Sequence, residues 1–379
     1  MIKELFTQDV NRDIETVVKA DDVRNVDQEI QEDVITREID KKVGVLFSEY
    51  GNSKIVNGVW IHGFFGSGKS HLLKMLSYVF GNKVLEDGTS AAEVFASKSK
   101  DELIKADIHR IANIPSESIL FNIDQQATIS QNEDKDSVLL VFYKVLYDHL
   151  GFYGFQPHIA EFEWWVRFRK NIYTEFKEQF AKQTGLEWTT ARRNYFDPEV
   201  MDGVSSALAQ LLDREESDFD TILEDIEERQ NLSVADLANR VEEYINTQPA
   251  NFHLNFFIDE VGQYIAGDVN MMLNLQTIAE SLATATNNRS WVFATAQSKI
   301  EGLGKDLDQT QDYARIQGRF KIQINLTSAN VDEVIEKRLL EKKKQEVPVL
   351  SQLYEKEKAH IKTIVSSADG GMPIVAYKN

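Results

Sequence analysis

Apolar residues fall into two kinds of pattern along this chain. Short unbroken runs read as strands buried on both faces. They lie at Val59-Trp60-Ile61, Ser118 to Asp124, Phe252 to Asp259 and Ser290 to Ala294, and Phe320 to Leu326 reads as a last strand. Other stretches repeat apolar residues at helical spacing. Examples are Val34, Ile35, Ile39, Val43, Leu46 and Phe47, then Leu72, Leu73, Met75, Leu76, Val79 and Phe80. Val138 to Leu150 and Met271 to Leu282 read the same way. Gly81 sits where a helix C-terminal glycine is expected. The turn Asp87-Gly88-Thr89-Ser90 leads into a polar helical stretch over 92–113, broken at Pro115. Asn330 with Glu333 opens a final helix by a capping box, and Lys342-Lys343-Lys344 suits its C-terminal end.

Runs alternating with helical stretches predict an α/β fold, a parallel sheet of about five strands with helices on both faces. The strands are expected near 57–62, 118–124, 253–259, 290–295 and 320–326. Residues 1–54 form a lead-in and 55–130 the first part of the core. A helical insertion occupies 131–250, the second part of the core 251–327, and the start of a helical lid 328–379.

The first strand feeds Gly63-Phe64-Phe65-Gly66-Ser67-Gly68-Lys69-Ser70, followed by His71 and a helix. This is the phosphate-loop pattern in its proper strand-to-helix setting. Glycines let backbone N–H groups close around phosphate oxygens, and the helix start adds unpaired donors. Lys69 supplies a charge for the terminal phosphates, and the Ser70 hydroxyl is placed to ligate Mg²⁺. The later run Phe256-Phe257-Ile258-Asp259-Glu260 ends in two carboxylates, the Walker B pattern. Asp259 is expected to support the metal and Glu260 to activate water. Together the motifs predict a P-loop NTPase core of AAA+/ASCE-like type that takes ATP and Mg²⁺ and hydrolyses it.

Thr295 and Gln297 follow the fourth strand, where a polar sensor of the γ-phosphate or plain strand-end polarity would sit. Arg315 and Arg319 precede the last strand. Either could act as a finger on a neighbouring subunit's nucleotide, implying a homo-oligomer, or form a surface ion pair. Val10 to Lys19 is a candidate for contact with the base or ribose, with plain packing as the equal alternative. His62 and His71 flank the loop, and a local role suits them better than catalysis.

Charge and composition narrow the picture. The chain has 379 residues and a formal net charge of −19, so its global field repels DNA and anionic membranes. Contact with DNA would be indirect or through a local patch. Such a patch is conceivable at Phe162 to Phe180, with Trp164, Trp165, Arg167, Phe168, Arg169 and Lys170, followed by Arg192 and Arg193. Buried rings with a solvated charged face are the simpler reading there. Asp213 to Arg229 is acidic and reads as a solvated helix face. The absence of cysteine excludes disulfides, thiolate zinc sites and iron–sulfur clusters. No signal peptide or membrane-spanning run is seen, which fits a cytoplasmic location.

The opening Leu5-Phe6, Asp9-Val10-Asn11-Arg12 and Val17-Val18-Lys19 carries a narrower likeness, as do Val34-Ile35-Thr36 and Asp259-Glu260-Val261-Gly262-Gln263-Tyr264. With the phosphate loop, they resemble the N-terminal ATPase region of the BREX phage-resistance P-loop proteins, the BrxC family. The resemblance covers most of the chain. It implies a cytoplasmic bacterial AAA+-like ATPase acting with other BREX components, including a methyltransferase and a phosphatase-like protein. Members of that family are much longer, so this sequence is expected to be a fragment. Two other readings stay open: a nucleotide-gated scaffold with negligible turnover, and a DNA-remodelling or replication-initiator ATPase outside BREX.

Overall fold

The computed structural model describes residues 5–7, 25–52, 56–127, 137–229, 232–265, 268–297, 318–327, 331–338 and 340–368. Five strands form one sheet: β1 (Gly58–Gly63), β2 (Ser116–Asn122), β3 (His253–Asp259), β4 (Ser290–Ala296) and β5 (Ile322–Leu326). Their spatial order is β2-β3-β4-β1-β5, and every pairing is parallel. The expected strands are therefore all present, within a few residues of their expected limits.

Burial on both faces explains the unbroken apolar runs. Alternate residues point to opposite sides of the sheet. Val59, Ile61, Phe257, Trp291 and Phe293 enter one core with helices α2 (Arg37–Glu49), α3 (Lys69–Phe80), α4 (Ala91–Lys98) and α5 (Glu102–Ala112). Trp60, Phe256, Ile258, Val292 and Ala294 enter the other. That second core is covered by α7 (Ser137–His149), α13 (Val234–Asn246) and α15 (Val269–Thr286). α1 (Val26–Glu32) lies against α4. Ser90 and Glu93 form a complete capping box at the start of α4.

The segment between β2 and β3 is helical, and its two ends pack on the sheet as α7 and α13. Between them α8 (Pro157–Trp164), α9 (Tyr173–Thr184), α10 (Trp188–Ala191), α11 (Pro198–Leu212) and α12 (Ile222–Arg229) enclose a separate core. Phe162, Phe176, Phe180 and Trp188 are fully buried in it. Glu163, also fully buried, accepts from Tyr173 Oη at 2.6 Å, Trp188 Nε1 at 2.9 Å and Arg192 Nη1 at 2.6 Å. The rings of the aromatic and basic stretch are thus mostly buried, while Arg169, Lys170 and Arg193 stay exposed. Arg167 lies over the Phe152 and Phe168 rings, Lys170 over Trp165, and Arg169 pairs with Glu243.

Gly81 ends its helix as expected, and one later helix end differs from expectation. Gly81 closes α3 with φ −95°, while the left-handed residue is Asn82 at φ 51°. Glycine is required there by crowding: a Cβ would meet Ser77 O at 2.8 Å and Ser118 Oγ at 3.1 Å. After β5 the helix Val331–Arg338 stops before the lysine run. Lys342 instead bridges Phe6 in antiparallel fashion, and Lys343 N donates to Leu5 O at 2.9 Å. Asn330 of the expected capping box lies outside the described residues. A further helix spans Val347–Ala368. Among the described residues, no helix is long and apolar enough to cross a membrane.

Candidate functional site

Parallel strands deliver all their C-terminal ends to one edge, where loops can converge on a ligand. β1 ends at Gly63, which tolerates no side chain. A Cβ there would lie 2.5 Å from Leu326 O and 2.6 Å from Ser67 Oγ. Gly66 and Gly68 adopt φ of 79° and 86°, a region that favours glycine, and a Cβ on either would meet nothing within 4 Å. Gly68 is the N-cap of α3, with no side-chain cap and no acid in the first turn. The first N–H groups of this helix therefore lack side-chain partners of the usual capping kind.

Lys69 Nζ lies across the loop and donates to Phe64 O at 2.9 Å. Partial burial lowers its pKa, while the nearby Asp259 and Glu260 carboxylates oppose that shift. Phe64 and Phe65 stand at the loop tip, 49% and 85% exposed. Ser70 Oγ donates to Asp259 Oδ1 at 3.1 Å, across 189 positions of sequence. The phosphate-loop residues and the acidic strand end thus meet at one place.

Asp259 is buried, and Oδ1 also accepts from Thr295 Oγ1 at 2.6 Å. Thr295 Oγ1 in turn accepts from Glu260 N at 2.8 Å. Both bonding roles of this hydroxyl are thereby turned toward the acidic pair. Gln297 is exposed, with Nε2 3.5 Å from Gln263 Oε1. Glu260 follows the strand with φ 64° and ψ 21°, an unusual backbone for a residue with a Cβ. Such local strain clusters at functional sites.

Sequence reading missed one participant, Asn122 at the end of β2. Its Nδ2 donates to Glu260 Oε2 at 2.7 Å. Its Oδ1 accepts from Asp124 N and Gln125 N, capping the short helix α6 (Ile123–Ala127). β2 and β1 lie on opposite sides of β3, so this bond anchors the Glu260 carboxylate on the β2 side. The signal was a polar residue closing an apolar strand, but its partner is visible only in three dimensions.

Of the remaining candidates, His71 and Arg319 bond residues outside this cluster. His71 Nε2 bonds Asp33 Oδ1 at 2.8 Å, and His62 is buried within β1. Arg319 Nη2 pairs with Glu280 Oε1 of α15 at 2.7 Å. Arg315 and Val10 to Lys19 lie outside the described residues.

Hard oxygen donors suit a hard divalent cation. Ser70 Oγ and Asp259 are such a pair, and their direct contact fits a shared role toward Mg²⁺. Among the described residues, no group of three or more His, Asp or Glu is gathered for a metal. A Mg²⁺ ion held chiefly by phosphates and water needs only one or two protein oxygens. No family model matches the chain, and no solved structure matches it.

Proposed function

We propose that this chain binds ATP with Mg²⁺ and hydrolyses it, through an AAA+/ASCE-like P-loop core. The single observation that carries this reading is the hydrogen bond from Ser70 Oγ to Asp259 Oδ1. It joins two motifs that each point separately to a nucleoside triphosphate.

The roles follow from placement. The loop from Gly63 to Ser70 and the start of α3 bind phosphate oxygens through backbone N–H groups. Lys69 neutralises charge on the terminal phosphates. Ser70 and Asp259 hold the metal, which offsets phosphate charge when bound. Adjacent strands lie about 4.8 Å apart, so with β4 between them β1 and β3 are separated by roughly 10 Å. That gap suits a phosphoryl group with a water on its far side. Glu260 takes the proton of that water. Thr295 acts by fixing Asp259 and the Glu260 backbone. Arg315 or Arg319 is the candidate for a finger in a homo-oligomer.

A second reading has its own observation. Asn122 holds Glu260 toward β2, which supports a nucleotide-gated scaffold that turns over slowly until Glu260 is released. A DNA-remodelling role is weakened by the net charge of −19. The resemblance to BREX ATPases supports cytoplasmic action beside a methyltransferase and a phosphatase-like partner, with DNA contacted indirectly.

The test compares phosphate release with ATP retention in the wild type and Glu260→Gln. The variant should still bind Mg·ATP while its turnover falls about 10²–10⁴-fold. Unchanged phosphate release in the variant would remove Glu260 from the reaction. Tight retention without release in the wild type would favour the scaffold.

A further inference from the structure

The unit formed by α8 to α12 presents an exposed aromatic patch far along the chain from either nucleotide motif. Phe196 is 69% exposed and Phe155 50%. Contacts of their neighbours join the two turns that carry them. The His158 ring meets Tyr195 edge-on at 4.6 Å. The Arg192 guanidinium lies 5.6 Å from the Tyr153 ring centroid and donates to Gly151 O at 3.1 Å. Phe155 neighbours Tyr153, and Phe196 neighbours Tyr195, at centroid distances of 6.0 and 5.7 Å.

Beside this patch lies a cavity of about 380 Å³ between the end of α9 and the start of α11. Ala191 and Val200, both buried, form its floor, and Leu186 is its apolar lip. Its rim carries Glu187, Asp197 and Glu199, and among the described residues no basic one lines it. Asp197 uses Oδ1 to cap α11 through Glu199 N at 3.0 Å. An apolar floor under a carboxylate rim matches one kind of side chain, a long methylene stem ending in a cation.

We propose that this groove and its aromatic lip dock a partner polypeptide that inserts a lysine or arginine and lays apolar residues on Phe155 and Phe196. Charge complementarity fixes the choice. The rim carboxylates attract a basic amphipathic segment and repel an acidic one. Exposed rings beside such a pocket supply the large rigid contacts that dominate interfaces. The proposal does not depend on the ATPase reading.

The experiment uses the full chain and a short labelled peptide with leucine and lysine at helical spacing, followed by fluorescence anisotropy at physiological ionic strength. Saturable binding is expected. Phe196→Ser and Glu187→Lys should each weaken it about tenfold or more. Both positions are exposed, and circular dichroism checks that each variant folds. Glu102→Lys makes the same charge change on α5, across the sheet, and should leave binding within about twofold. A peptide with glutamate in place of lysine should not bind. The proposal is overturned by absent binding, or by an equal loss with Glu102→Lys, which would mean diffuse charge attraction. A change in molecular mass on Phe196→Ser, read by light scattering, would also overturn it by giving the face to a second copy of the chain.

Discussion

The two ends of β3 are made by one strand and are built for opposite purposes. At its start, His253 is buried with its ring 5.1 Å from that of Tyr50, which also lies 5.0 Å from Trp291. Two residues on, the Asn255 amide and the Tyr50 hydroxyl bond each other in a fully buried pair. That end is sealed by rings. At the other end Asp259 and Glu260 draw partners from α3, β2 and β4, beside a half-buried Lys69 and an exposed loop tip. Polar groups at the first end are closed off by packing. Those at the second are held in register while the edge stays open to a ligand. The contrast teaches that one parallel sheet can confine chemistry to a single edge and leave the other to stability.

Removing a carboxylate should therefore have very different consequences from protonating a histidine. Asp259→Ala should lower ATP turnover about 10³-fold, or ~4 kcal/mol, with circular dichroism unchanged. Turnover like that of the wild type would erase the distinction between the two ends.

At the sealed end the expected effect is on stability. Burial, aided by the charge of Arg289, pushes the His253 pKa down to about 4. The unfolded chain, with an ordinary value near 6.5, binds the proton more readily between those limits. Stability is thus fully present above pH about 6.5 and is lost as pH falls toward 4, by up to about 3 kcal/mol. Urea unfolding across that range should show the slope, and His253→Phe should flatten it.

Two smaller changes sharpen the polar end. Thr295→Val removes a donor to Asp259 and the acceptor of Glu260 N, and should destabilise by about 2 kcal/mol in chemical denaturation. Asn122→Ala frees Glu260 from β2, and a few-fold rise in turnover is expected in a coupled phosphate assay. A fall would mean that Asn122 positions Glu260 for the reaction.

Much of this architecture could be read from residue order because its signals are local. Apolar runs marked the inner strands, whose two faces are covered, and apolar/polar alternation marked β5 at the edge. The phosphate loop and the acidic strand end are contiguous motifs, and their meeting was a direct expectation. The parts that escaped depend on tertiary contact. Asn122 is an ordinary polar strand end until β2 pairs with β3 and sets it beside Glu260. Thr295 read either as a phosphate sensor or as plain strand-end polarity, and its bond to Asp259 appears only once β4 lies beside β3. Gly81 answers both to its own helix, through Ser77 O, and to Ser118 of a neighbouring strand. Lys342 follows its bridge to Phe6 instead of ending a helix, a contact spanning most of the chain. Arg167 and Lys170 could have marked a nucleic-acid surface, and in the fold each lies over a neighbouring ring, with Lys170 still exposed.

The most direct measurement is calorimetric titration of Mg·ATP into the wild type and Lys69→Ala. Lys69 and Asp259 belong to one pocket in this account, so the wild type should bind and the variant should lose at least about 100-fold in affinity, roughly 2.7 kcal/mol. Equal affinity in the two proteins would contradict it.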